Sequence, residues 1–170
     1  MKRNTITPTI IIGLSAAFAN KMDETLSRTV ANPKCSGVYG ITGTTREFER
    51  SARAAGLSII KLDLGRLRGK AGLLNVLAKA LKFPKHFGQN WDALHDFLTD
   101  LEWFDAKGWL VVVANGKSFA GRHGEHFATA IQVLRAAAEH WRGQGKPFWV
   151  LVESTKNWSA GLPEPPTSHS

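Results

Sequence analysis

The chain has 170 residues and a formal charge of +8, from 22 Lys and Arg against 14 Asp and Glu. Hydrophobic residues make up 43%, too many for a chain that buries no core, and no apolar run approaches the ~20 residues that cross a bilayer. The single cysteine, Cys35, excludes an intramolecular disulfide and gives no support to a thiol nucleophile, so a reducing, cytoplasmic setting is expected.

The ends are expected to differ from the middle. Met1 to Asn4 is basic, Ile10 to Phe18 is mostly apolar, and Ala17-Phe18-Ala19 resembles a signal-peptidase site. Thr5, Thr7, Pro8 and Thr9 dilute that weak signal-peptide-like pattern, and Met22 offers a second start. Residues 1–36 are therefore set outside the fold as an N-terminal extension. Residues 155–170 carry three prolines, Gly161 and small polar residues, the composition of a disordered tail. This leaves a domain over 37–154.

Inside it, strand and helix patterns alternate. Val38–Ile41 is β-prone. Thr44 and Glu47 have capping-box spacing ahead of Phe48, Ala52 and Ala55 at helical intervals, with Gly56 as a stop. In Leu57–Leu64, Ile60, Leu62 and Leu64 alternate with Lys61 and Asp63, predicting a strand with one wetter face. Lys70–Lys82 puts Leu73, Leu74, Leu77 and Leu81 on one helical face, and Pro84 closes it. A second helix is predicted from about Asn90 to Leu101. Trp109–Ala114 and Phe148–Val152 are nearly continuous apolar runs, the mark of parallel strands covered on both faces. Between them Phe127, Ile131, Leu134, Ala138 and Trp141 form the stripe of a long helix. A strand, helix and strand so spaced make a crossover unit, hence a small α/β domain with a mainly parallel sheet.

One segment stands apart. Residues 86–105 contain Asp92, Asp96, Asp100, Glu102 and Asp105 and no lysine or arginine. On a helical wheel, Trp91, Leu94, Phe97, Leu98 and Leu101 share one arc, and Asp92, His95, Asp96, Thr99 and Asp100 the opposite one. Asp92 complements the helix dipole in the first turn, whereas Asp96, four residues on, repels it by ~0.2–0.5 kcal/mol if exposed. Such a face is either an ordinary solvated surface or a docking surface for a cationic partner.

The run HFGQNWDALHDFLTD resembles the signature of the barstar family, with Phe87, Gly88, Asn90, Asp92, Ala93, Leu94, Asp96, Leu98 and Thr99 matching. The likeness extends from about Leu57 to Ser154 and includes Ile131–Arg135 and the closing strand. Residues 36–56 look like an N-terminal strand and helix added in longer relatives. The resemblance implies a small three-layer-like α/β fold, with a mainly parallel sheet of three to four strands packed with helices. It also implies an inhibitor, not an enzyme, that blocks the active site of a basic ribonuclease or nuclease toxin with an acidic helix and its preceding loop. Asp96 would take the pocket meant for the substrate phosphate, with Asp92 as its supporting acid. His86, Gly88, Asn90, Trp91, His95, Thr99 and Asp100 would supply the surrounding contact surface. His86 replaces the family's loop tyrosine, His95 its helix tryptophan, and Ala136 a glutamate on the last helix, which points to a partner other than the best-known family target. A free monomer without cofactor is expected.

Other constellations carry less. His123, Glu125 and His126 lack the i, i+4 spacing of a helical zinc site and a clear third ligand. His86 and His95 near Asp92 and Asp96 could be an acid–base pair for RNA cleavage, but no cation in that segment would stabilise the charge that develops on phosphorus. Six tryptophans and many bases could signify an RNA-associated domain that has kept the fold without inhibition. Most of these tryptophans fall on expected core faces, and the sequence cluster Arg46, Arg50, Arg53, Lys61, Arg66, Arg68 and Lys70 also suits a solvated face.

Overall fold

The computed structural model describes residues 8–166, with side chains from Ser15 onward. Strands β1 (Gly37–Thr42), β2 (Ser58–Asp63), β3 (Trp109–Ala114) and β4 (Phe148–Ser154) form one sheet. Every pairing is parallel, and the order is β1-β4-β3-β2. The helices are α1 (Pro8–Ala31), α2 (Arg46–Ala54), α3 (Gly69–Ala80), α4 (Trp91–Asp100), α5 (Gly116–Arg122) and α6 (Gly124–Gly143). Among the described residues, no helix is long and apolar enough to cross a membrane.

Side chains on a strand alternate between faces, so the unbroken apolar runs of β3 and β4 require cover on both sides. Trp109, Val111 and Val113 of β3, with Phe148, Val150 and Val152 of β4, join one core with Leu73, Leu74 and Leu77 of α3 and Leu94 and Leu98 of α4. Phe119 of α5 and Phe127, Ile131 and Leu134 of α6 complete that core. The alternate residues Leu110, Val112, Trp149 and Leu151 form a second core with Leu26 and Val30 of α1 and Phe48 and Ala52 of α2. The fold is thus an α/β/α sandwich, as the family resemblance implied.

The second core corrects the expected domain limits. Residues 1–36 are not simply outside the fold. Leu26 and Val30, four apart on α1, cover the sheet, and Val30 is wholly buried. Its carbonyl accepts the Trp149 indole N–H at 2.9 Å. Arg50 of α2 pairs with Asp23 at 3.1 Å. Beyond α1, the Ser36 hydroxyl accepts from the Phe148 amide at 3.0 Å. The diluted apolar pattern near the start hid this short stripe further along the helix. The basic stretch at residues 1–4 lies outside the described residues. The expected disordered tail is likewise structured as far as it is described. The Thr155 amide donates to Trp158 O at 2.8 Å, Leu162 is buried, and Pro163 O accepts from the Gly40 amide of edge strand β1 at 2.9 Å.

Two local expectations also change. Thr44 and Glu47 form no capping box: Thr45 occupies the cap position, and its hydroxyl donates to the Glu49 carboxylate at 2.8 Å. Glu49 is buried and also binds Lys61 at 2.9 Å, with Arg53 at 3.9 Å. Burial pushes its carboxyl up, but hydrogen bonds from Lys61 and Thr45 and the charges of Lys61 and Arg53 outweigh this and hold it below the usual glutamate range. The run after β3 contains a separate short helix, α5, because Asn115 adopts a left-handed conformation (φ 59°) that turns the chain.

Candidate functional site

The acidic segment folds as α4 and the loop before it. Asn90 starts the helix: its side-chain carbonyl accepts the Ala93 amide at 2.8 Å, satisfying one of the N–H groups that a helix leaves free. Leu94 and Leu98 are wholly buried. At the far end Leu101 closes the helix in a left-handed conformation with its side chain in the core. The Leu98 carbonyl, one of the last four of the helix, is taken by the indole N–H of Trp141 from α6 at 2.8 Å. This buried bond fixes α4 against α6.

The loop is held from beneath by aromatic rings. Phe97 projects from α4 among Phe83, His86, Phe87 and Trp103, with ring centroids 5.2–5.3 Å away. Trp103 donates its indole N–H to Leu81 O at 3.2 Å. Gln89, to which the sequence assigned no role, donates to Asn75 of α3 at 2.8 Å and ties the loop to that helix. Gly88 has only ordinary space around an added Cβ and no left-handed backbone, so nothing within the chain itself demands glycine there.

The opposite face of α4 is open. Asp92, His95, Asp96 and Asp100 are exposed, as are His86, Gly88 and Asn90 in the loop. The Asp96 side chain is 79% accessible, and its only ion-pair neighbour among the described residues is His95, with Nδ1 3.5 Å from the carboxylate. No Lys or Arg pairs with Asp92, Asp96 or Asp100 among those residues. Thr99 is half-buried and turns its hydroxyl back onto the carbonyls of His95 (3.0 Å) and Asp96 (3.1 Å). Trp91 is half-buried at the helix start, its ring 6.4 Å from that of His126 and 5.7 Å from the Lys70 ammonium. The loop and helix therefore put all nine candidate contact residues on one continuous segment. Asn90 and Thr99 have part of their hydrogen-bonding capacity committed within the chain.

Residues 57–153 match the family model described as Barstar (barnase inhibitor). The chain belongs to the barstar family. Comparison with curated proteins finds no match. Family membership makes a ribonuclease-inhibitor role the general expectation, since barstar proteins bind ribonucleases as protein inhibitors and are not themselves enzymes. The barstar match begins at Leu57 and so omits α1, β1 and α2, the elements that add an edge strand and cover the second face of the sheet. The barstar segment of this chain thus carries α4 on the face opposite the extension.

The remaining sequence candidates form no metal site and divide between surfaces. His123 accepts the Gly69 amide on Nε2 at 3.1 Å. No group of three or more potential metal-ligating side chains gathers among the described residues. Of the basic sequence cluster, Arg50, Arg53 and Lys61 are paired with acids of α1 or α2, while Arg66 and Arg68 line a different surface with Arg122.

Proposed function

We propose that the chain inhibits a basic ribonuclease or nuclease toxin by seating α4 and its preceding loop in that enzyme's active site. The observation that carries this reading is the exposed Asp96 carboxylate, flanked by Asp92 and Asp100 on a helix face that has no Lys or Arg partner among the described residues. The other face of the same helix is locked into the core by Leu94, Leu98 and the Trp141 hydrogen bond. A rigid, uncompensated anionic ridge suits a pocket whose arginines and lysines evolved to hold phosphate. Asp96 enters that pocket, Asp92 reinforces it, and His86, Gly88, Asn90, Trp91, His95, Thr99 and Asp100 form the surrounding contact. Because His86, His95 and Ala136 stand where the family carries tyrosine, tryptophan and glutamate, the partner differs from the family's best-known target. The chain acts in the cytoplasm, where its lone Cys35 stays reduced.

The test is titration of RNA cleavage by basic nucleases encoded in the same host, using the wild type, Asp96→Ala and Asp105→Ala. Asp105 is 98% accessible and lies beyond the helix. Removing one member of an ion pair that becomes buried costs ~3–5 kcal/mol, so Asp96→Ala weakens inhibition by more than about a hundredfold. Asp105→Ala inhibits like the wild type. Equal inhibition by Asp96→Ala removes α4 from the contact.

A further inference from the structure

A second charged surface lies at the carboxyl edge of the sheet, where open parallel sheets present their ligand-binding loops. Arg66 and Arg68, from the loop after β2, and Arg122, at the end of α5, line an open cleft of about 630 Å³ with Gly65, Leu67 and His123. All three arginines are exposed, and none forms an ion pair among the described residues. Arg122 is also fixed in place: its Nη2 donates to Gly65 O at 3.1 Å and Leu67 O at 3.2 Å. The rest of its guanidinium has no partner among the described residues. His123 is oriented too, since Nε2 accepts the Gly69 amide, which leaves the proton of the neutral ring on Nδ1 as a donor.

Asp63 offsets part of this positive charge, since hydrogen bonds and the charge of Arg66 hold its carboxyl below the usual aspartate range, but it forms no ion pair with the arginines. Asp63 spends one carboxylate oxygen on the Asn115 amide at 2.7 Å and the Gly65 backbone at 2.9 Å. From the cleft an aromatic path leads to α4: the His123 and His126 rings are 6.3 Å apart, and His126 lies 6.4 Å from Trp91. Lys70 stands over Trp91 at 5.7 Å. Guanidinium forks grip phosphates, and an indole with a cation over it, here at the far end of that path, stacks an unpaired base.

We propose that this cleft binds single-stranded RNA, its phosphates held by Arg66, Arg68 and Arg122 and a base stacked toward Trp91. The phosphate contacts are independent of the inhibitory reading, because they use cations at the sheet edge rather than the acids of α4; the stacking contact shares Trp91 with it.

Fluorescence anisotropy of a labelled oligouridylate of about 12 nucleotides tests it, with the full chain and no nuclease present. Three arginine–phosphate contacts predict a log affinity that falls with log salt at a slope of about −2, and Arg66→Gln/Arg68→Gln reduces this to about −0.7. The same double variant weakens binding at least tenfold at low salt. Arg28→Gln/Lys34→Gln, which removes two exposed charges elsewhere, retains binding, and so does Asp96→Ala. Circular dichroism checks that each variant is folded. Should the arginine variant unfold, ultraviolet crosslinking of 4-thiouridine RNA to the wild type labels peptides containing 65–70, 91 or 122–126. Absence of binding at ~50 mM salt overturns the proposal. So does equal loss in the two double variants, crosslinking confined to other peptides, or tighter binding of polyglutamate of equal length than of RNA.

Discussion

The burial of Val30 offers a direct measure of what the N-terminal extension contributes. Val30→Ala removes two methyl-sized groups from a side chain with no accessible surface, between α1 and the second face of the sheet. At ~0.8 kcal/mol for each buried carbon, the transfer cost is about 1.6 kcal/mol, and incomplete collapse of the resulting void brings the loss to ~2–3 kcal/mol. The Val30 carbonyl that receives the Trp149 indole stays in place, so the substitution probes packing without breaking that bond. Urea unfolding followed by tryptophan fluorescence reports the change as a lower midpoint at unchanged slope. For a chain of this length the same loss lowers Tm by roughly 4–12 °C. A change below ~0.5 kcal/mol, the size typical of surface substitutions, would refute the claim that α1 is part of the cooperative fold.

Two further perturbations probe the frame of the site and the acid stability of the fold. Trp141→Phe leaves the buried Leu98 carbonyl without its 2.8 Å donor, which costs ~1–3 kcal/mol in chemical denaturation. Amide exchange near the end of α4 becomes faster in that variant, and unchanged protection there would dissociate the bond from helix anchoring. Glu49 has its folded pKa held below the unfolded value of 4.5. Its contribution is therefore fully present above pH ~4.5 and is lost as pH falls through the lower folded value. Glu49→Gln makes the chain less stable at neutral pH and flattens the acid limb of its stability profile, whereas parallel wild-type and variant profiles would contradict the assignment.

The order of strands and helices within 37–154 was largely legible because each element carries its own periodicity. The acidic ridge was legible for the same reason: Asp92, Asp96 and Asp100 recur every four residues opposite Leu94, Leu98 and Leu101. Long-range partners were not. Nothing local marks Trp141 as the donor for Leu98, or Gln89 as a tie to Asn75. The extension could have been anticipated from a neighbouring clue. Leu110, Val112, Trp149 and Leu151 alternate with residues facing α3, α4, α5 and α6, so the apolar runs already demanded a second covering layer. The basic sequence cluster divides because its residues sit on different elements: Lys61 on β2 turns toward Glu49, while Arg66 and Arg68, in the loop after β2, reach the sheet edge beside Arg122, more than fifty residues away.

The position of β4 has a consequence for how the chain is assembled. The last strand to be synthesised lies between β1 and β3, with Gly37 paired to Trp149 and Trp109 to Phe148. Until residues 148–154 leave the ribosome, β1 has no strand beside it, and β2–β3 presents an open apolar edge to its surroundings. Such pairing across most of the chain is slow to close and exposes sticky edges in the meantime. A nascent chain interrupted before Phe148 is therefore a better substrate for chaperones and proteases than the finished protein, and completion of this one strand is the step that commits both halves to a single structure.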